Sequence, residues 1–321
     1  RDVLHPKGSP PFSSDASVVV FGSLARDEFT AGSDLDWTLL VDGQADSQHL
    51  RVAQEIEGLL IDNAMKRPGP TGTFGDVAFT HSLIHDIGGT DDTNVNTTRR
   101  MLLLLEACAI GNSDALDRVQ AAVIQRYLED DLAYVLATPD RPVKLPRFLL
   151  NDLVRFWRTM AVDYASKHRL RRGKKWAIRN VKLRFSRKLI FAAGLIACFD
   201  AVREIDGHRG ALFGPSPVLQ PLATKLMEYA RTTPLEVVAA ALLKSGEGDP
   251  VRLFAAYNEF IGVLAEESKR GHLEDLKEEA AATDPVFQSL RTCGGEFDNA
   301  LTEFFFDSKR YGPLIRQYGV F

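Results

Sequence analysis

Asp34 and Asp36 are separated by a single leucine inside the run VVVFGSLARDEFTAGSDLDWTLLVDG, residues 18–43. In a strand, residues i and i+2 project to the same side. The two carboxylates therefore project together, while Leu35, Trp37 and Leu39 project to the opposite face and can pack on a helix. Like charges on one face repel, and a carboxylate in apolar surroundings is costly unless something compensates it. A hard cation is the simplest compensation. Upstream, Gly22 and Ser23 close a β-branched run. Glycine lets a phosphate approach the backbone closely, and a helix starting there would offer free N–H groups to an anion. One short unit thus sets a phosphate cradle beside two metal-binding carboxylates. Carboxylate and phosphate oxygens suit Mg2+, and a pair of such ions can clamp the attacking and leaving oxygens of an in-line displacement. The chemistry is metal-assisted phosphoryl or nucleotidyl transfer. A third carboxylate is expected from a neighbouring strand.

The elements that must position these groups can be read around them. SVVVFG (17–22) predicts a strand ending at glycine, and SLARDEFTAG (23–32) predicts a short helix with a Ser N-cap and a Gly stop. SDLDWTLLVDG (33–43) predicts a second strand. Residues 47–65 carry Leu50, Ala53, Ile56, Leu59 and Leu60 at helical spacing. RPGPTGTFG (67–75) reads as a loop, DVAFTHSLI (76–84) as a third strand, and IGGTDDTN (87–94) as turn. Beyond that point the apolar period is helical nearly throughout. The expected organisation is a small α/β domain over 1–95 followed by an all-α domain over 96–321.

The stretch FGSLARDEFTAGSDLDWTLL resembles the signature of the DNA polymerase β-like nucleotidyltransferase superfamily: an apolar strand, Gly-Gly or Gly-Ser, a short helix, then Asp-apolar-Asp in the next strand. Gly22, Ser23, Asp34 and Asp36 carry the match, and it extends over roughly 17–95. The filling Ala25-Arg26-Asp27-Glu28 is most similar to the branch that includes the uridylyltransferases of PII signalling proteins. The resemblance implies a nucleotidyltransferase core with a small mixed sheet and transfer of NMP from an NTP to an acceptor hydroxyl. It also implies Mg2+ or Mn2+ on Asp34 and Asp36, and terminal phosphates on Gly22 and Ser23. In the superfamily a third acid on a later strand binds a metal and helps deprotonate the acceptor. Asp76, Asp86, Asp91 and Asp92 are the candidates, and Asp76 is favoured because it opens the only later β-rich run. A catalytically silent relative that binds nucleotide or RNA is the alternative reading. Loss of the acids is the usual mark of silence, and here both are present.

Residues 155–188 hold many Arg and Lys against the single acid Asp163, in a chain of net charge −4. Arg179, Lys182 and Ser186 fall at i, i+3 and i+7, one face of a helix. Superfamily members with a helical second domain often hold the triphosphate with a Lys and a Ser on one helix, which Lys182 and Ser186 would supply here. The stretch from Arg169 to Lys188, including Arg171 and Arg172, is alternatively a local contact for RNA. The acceptor classes left open are a protein, an RNA and a small molecule. Trp176 is assigned to packing rather than base stacking. His81 and His85 fall on the expected third strand, where their spacing is too long for shared metal ligation.

At 321 residues, 45% hydrophobic and 26% charged, the chain has the composition of a globular protein of two ordinary domains. Cys108, Cys198 and Cys293 are far apart and odd in number, the usage of a reducing compartment. The longest apolar run, residues 189–199, falls short of the ~20 residues of a membrane span, so a cytoplasmic protein without a membrane partner is expected. The first residue is Arg1 rather than Met, which predicts a truncated or processed chain.

Overall fold

The computed structural model describes residues 14–69, 72–137, 145–170, 173–206 and 215–319; for 130–137, 202–206 and 215–220 it describes the backbone alone. Four strands form one sheet: β1 (Ala16–Phe21), β2 (Trp37–Val41), β3 (Asp76–Phe79) and β4 (Ala107–Ile110), in the order β3-β2-β1-β4. β1 runs antiparallel to β2 and β4, and β2 runs parallel to β3, so the sheet is mixed. The helices are α1 (Ser47–Asp62), α2 (Thr80–His85), α3 (Asn94–Leu105), α4 (Asp114–Ala137), α5 (Arg147–Leu170), α6 (Trp176–Arg184) and α7 (Ser186–Asp206). They are followed by α8 (Pro215–Ala230), α9 (Pro234–Ser245), α10 (Pro250–Ala265), α11 (Glu267–Asp275), α12 (Pro285–Thr302) and α13 (Gly312–Tyr318).

Two compact units emerge. The first is drawn from Arg1–Phe29, Ser33–Phe156 and Asp200–Thr233, the second from Thr30–Gly32, Trp157–Phe199 and Pro234–Phe321. The chain does not divide at residue 95, where the composition changes. β4 lies beyond that point and pairs with β1, Val20 opposite Cys108. Its four residues, ACAI, sit between two helix-like runs and are too few to show an alternation.

In the first unit β1 and β2 are buried along their whole lengths, which is why both read as unbroken apolar runs. One sheet face presents Val18, Val20, Leu35, Trp37 and Leu39 to Ala53, Ile56 and Leu60 of α1. α1 starts at a capping box: the Asp46 side chain accepts from Gln48 N, and His49 Nδ1 accepts from Asp46 N. This draws His49 inward and leaves Leu50, expected inside, exposed. The opposite face carries Ser17, Val19, Thr38 and Leu40 and is met by α4, where Leu116 N donates to Ser17 Oγ at 3.4 Å.

The third strand is shorter than the expected 76–84. It stops at Phe79, and residues 80–85 form α2. Thr80 and Leu83 are buried three residues apart, a helical spacing, and Thr80 Oγ1 donates to Asp42 Oδ1 at 3.2 Å to fix the corner.

The core of the second unit is aromatic. The Phe185 ring stacks on Phe260 of α10 at 4.7 Å and meets Phe297 of α12 at 5.3 Å. Phe185 is the residue between α6 and α7, at φ −107 and ψ −87, so the helix breaks where this ring inserts. Trp176 packs on Phe287 at 5.1 Å, in agreement with a packing role.

Candidate active site

The alternation read from Leu35 to Leu39 holds and aims the acids. Leu35 and Trp37 enter the α1-facing core, while Asp34 is exposed and Asp36 half-buried on the other side. Residues 33–36 are extended without full strand pairing. They are held by Phe21 N donating to Asp36 O at 2.9 Å and Leu35 N to Lys66 O at 2.9 Å. Asp34 has no hydrogen-bond or ion-pair partner among the described residues.

Gly22 follows β1 with φ +66, the left-handed region that glycine enters without strain. A Cβ built there would lie 3.6 Å from Asp36 Oδ2, so the bare backbone of Gly22 and the Asp36 carboxylate are neighbours. Gly22→Ala is expected to cost about 1–2 kcal/mol in stability from the backbone alone and to weaken nucleotide binding by filling that space. Thermal unfolding and a nucleotide titration would separate the two effects, and an unchanged nucleotide affinity would remove Gly22 from the cradle.

The short helix expected over 23–32 is absent. Residues 22–27 form turns, with Arg26 N donating to Gly22 O at 3.1 Å, Glu28 N to Ser23 O at 2.8 Å, and Asp27 at φ +56. The bond from Arg26 N to Gly22 O closes one helical turn, and the left-handed Asp27 ends it there. An ion cluster holds the turn in place: the Arg26 guanidinium bonds Glu28 at 2.8 Å and also Glu106, the residue just before β4, and all three side chains are largely buried. The backbone amides of this segment therefore come from a pinned turn rather than a helix N-terminus.

Asp76 opens β3. Gly75, at φ +84, donates its N–H to Trp37 O at 2.8 Å, and Asp76 then falls directly across from Thr38 of β2. Paired residues of neighbouring strands share a face, so Asp76 and Thr38 stand on the face of Asp36, two residues before Thr38. Asp76 Oδ1 accepts from Val77 N at 2.7 Å. Arg99 of α3 lies nearby: burial pulls its guanidinium below the ordinary value, while the charge of Asp76 acts to raise it. Arg99 donates to the carbonyls of Thr73 and Gly72 at 3.0 Å each, securing the loop that leads into Asp76.

The alternative third acids fare differently. Asp92 is consumed by structure. Its two oxygens accept from Arg100 at 2.8 Å each, and the two side chains are 1% and 0% exposed. Burial alone would push the Asp92 carboxyl up, but hydrogen bonds from Arg100 and Gly88 N, with the charges of Arg100 and Arg155, hold it below the ordinary value. Asp91 is exposed on the same turn and Asp86 caps the end of α2. α3 is capped by Thr93, whose hydroxyl accepts from Asn96 N at 3.1 Å, while Asn94 Oδ1 accepts from Arg155.

Lys182 and Ser186 belong to the second unit and do not project from one helix, because the chain breaks at Phe185. Ser186 is 6% exposed, and its hydroxyl donates to Lys182 O at 3.3 Å. Three cations of the basic tract are paired with acids of the second unit: Lys167 with Asp163 at 2.7 Å, Lys175 with Glu274 at 2.6 Å and Lys188 with Asp298 at 2.5 Å. Arg179 donates to the Lys175 carbonyl and Arg184 to Asn180. Arg171 and Arg172 lie outside the described residues. His81 and His85 sit on helix α2 rather than a strand, with ring centroids 4.8 Å apart. The three cysteines are unpaired, and burial pushes the Cys198 thiol up to about 12.

Asp34, Asp36 and Asp76 offer only carboxylate oxygens, the donor chemistry of a hard cation. Among the described residues no three His, Cys, Asp or Glu side chains gather closely enough to enclose an ion. One or two carboxylates completed by substrate phosphates is a usual Mg2+ donor set, and the residues fit that arrangement rather than a closed structural site. Among the described residues no helix is long and apolar enough to cross a membrane.

A small mixed sheet that presents an Asp-x-Asp pair beside a Gly-Ser turn, followed by a long helical region, is the architecture of a nucleotidyltransferase core with an appended helical part. Residues 9–66, which take in β1, the pinned turn, both acids and α1, match the family model described as nucleotidyltransferase domain, consistent with the polymerase β-like superfamily. Over residues 9–66 the chain is therefore similar to a nucleotidyltransferase domain. No curated protein and no solved structure matches it.

Proposed function

We propose that the protein transfers NMP from an NTP to an acceptor hydroxyl, with release of pyrophosphate, and that it requires a divalent cation. The observation that carries this reading is the placement of the Asp36 carboxylate against the left-handed Gly22. Asp34, Asp36 and Asp76 would hold Mg2+ or Mn2+. The bound ion would neutralise charge that develops on the phosphates. Ser23, whose hydroxyl has no partner among the described residues, and the backbone of the 22–28 turn would hold the terminal phosphates. Asp76 would take the proton of the acceptor hydroxyl. Ser186 has no part in this reading, since its hydroxyl is buried and engaged. Lys175 and Lys188, two cations of the stretch that suggested an RNA acceptor, are spent on internal ion pairs, and the acceptor is a hydroxyl of a protein, an RNA or a small molecule. Three unpaired thiols accord with a cytoplasmic setting.

The test is incubation with each labelled NTP, Mg2+ or Mn2+ and cell extract, followed by fractionation of the label. Label is expected in one acceptor fraction, with pyrophosphate released in step. Asp76→Asn should keep nucleotide binding and lose turnover. Absence of both nucleotide binding and label transfer, for every NTP and both ions, would sink the proposal.

A further inference from the structure

Thr38 is 3% exposed, and its Oγ1 is a buried polar atom with no hydrogen-bond partner among the described residues. A buried hydroxyl without a partner is destabilising. A valine would fill the same volume without that cost and suits a strand at least as well. The position of this unmet donor gives it meaning. Thr38 lies in β2, Cα-paired with Asp76 of β3 on one side and with Val19 of β1 on the other. It shares its sheet face with Asp36, two residues before it, and with Asp76. The unsatisfied hydroxyl thus belongs to a sheet face that also carries two carboxylates, groups that accept a hydrogen bond. Asp76 Oδ1 is already engaged by Val77 N, and no bond to Asp76 Oδ2 appears among the described contacts. The Oγ and Cγ2 of threonine are close in size, so a change of χ1 well exchanges them with little steric penalty.

We infer that Thr38 is a positioning residue for Asp76: when nucleotide and cation occupy the site, its hydroxyl donates to the Asp76 carboxylate and fixes the orientation from which that carboxylate acts. The inference rests on the proposed nucleotidyl transfer and assigns a role to a residue outside the superfamily motif. It gives the buried Thr38 hydroxyl an acceptor. Valine would leave Asp76 in its present bond to Val77 N and without a second restraint.

The experiment compares the parent protein with Thr38→Val and Thr38→Ser. It reads three quantities: thermal unfolding without metal or nucleotide, Mn2+ affinity by electron paramagnetic resonance in the presence of a non-hydrolysable NTP analogue, and kcat and KM for transfer. Thr38→Val should unfold at the same or a higher temperature than the parent, because it removes an unmet donor. It should nevertheless bind Mn2+ about tenfold more weakly and lose about 10- to 100-fold in kcat, the range of one hydrogen bond to a charged group, with KM for NTP little changed. Thr38→Ser should restore Mn2+ affinity and kcat. If Thr38→Val matches the parent in Mn2+ affinity and kcat, or if it lowers the unfolding temperature and serine does not restore function, Thr38 is a packing residue and the inference is overturned. A parent protein that binds no Mn2+ with the analogue and transfers no label instead overturns the proposed function, so the two failures are distinct.

Discussion

Asp36→Ala is expected to lower nucleotidyl transfer by at least about 10³-fold, and Asp34→Ala to do the same, with folding intact in both. Under the proposed function each substitution removes a carboxylate that would hold the ion, and with it the main stabilisation of charge on the transferring phosphate. The fold should survive because neither carboxylate is part of the core. Asp34 is exposed, Asp36 half-buried, and the residues that anchor the segment are Leu35 and Trp37 on the opposite face. Removing one of two like charges also relieves repulsion across a single residue. The measurements are initial rates with saturating NTP and thermal unfolding on the same preparations. Near-parental activity in either variant would show that the ion is not held there. Loss of the folded state would show that the pair is structural.

The largest expected effect on stability lies away from these acids. Arg100 is fully buried in α3, where it bonds Asp92 through both its terminal nitrogens, Asp152 at 2.9 Å and the Tyr127 hydroxyl at 3.0 Å. The cluster joins the turn before α3 to α3, α4 and α5. Asp92→Ala strands a buried guanidinium without its main counter-charge, a change that costs about 3–5 kcal/mol when one member of a buried pair is removed. Urea unfolding at pH 7 should show it. The pH dependence has a definite sign. The Asp92 carboxyl is held below its ordinary value of 3.8 in the folded chain. Its contribution is therefore present above that value and is lost as the pH falls through the lower, folded-state value. Between pH 7 and pH 3 the parent should lose more stability than Asp92→Ala does, and the two unfolding curves should converge. A difference below about 1 kcal/mol at pH 7, or curves that stay parallel into acid, would mean that the network contributes little.

The sequence by itself determined the residue types of the candidate site and the direction of its main groups. The period of a strand sets Asp34 and Asp36 opposite Leu35 and Trp37 whatever surrounds them, and the glycine after Phe21 marks the one backbone position where a left-handed turn is needed. Both signals are local, so the class of protein could be read from a stretch of about twenty residues. That Asp76 opens a strand was legible for the same reason. Its place across from Thr38 was not, because register between β2 and β3 depends on how α1 and the Gly72–Gly75 loop return the chain, and the unmet hydroxyl of Thr38 follows from that register. Tertiary contacts also decided which charged residues are available to a ligand. Asp92 and Asp76 are equivalent as letters, but Arg100 claims one of them. Arg26 sits in a segment with helical propensity, yet the left-handed Asp27 ends it after one turn, and Glu106, 80 residues further along, holds that turn in place. Lys182 and Ser186 have helical spacing, yet the chain breaks between them at Phe185, whose ring packs on Phe260 and Phe297. Period and propensity are properties of neighbouring residues. Whether a charge is buried, paired or open is fixed by groups distant in sequence, and that is where structure and site part company.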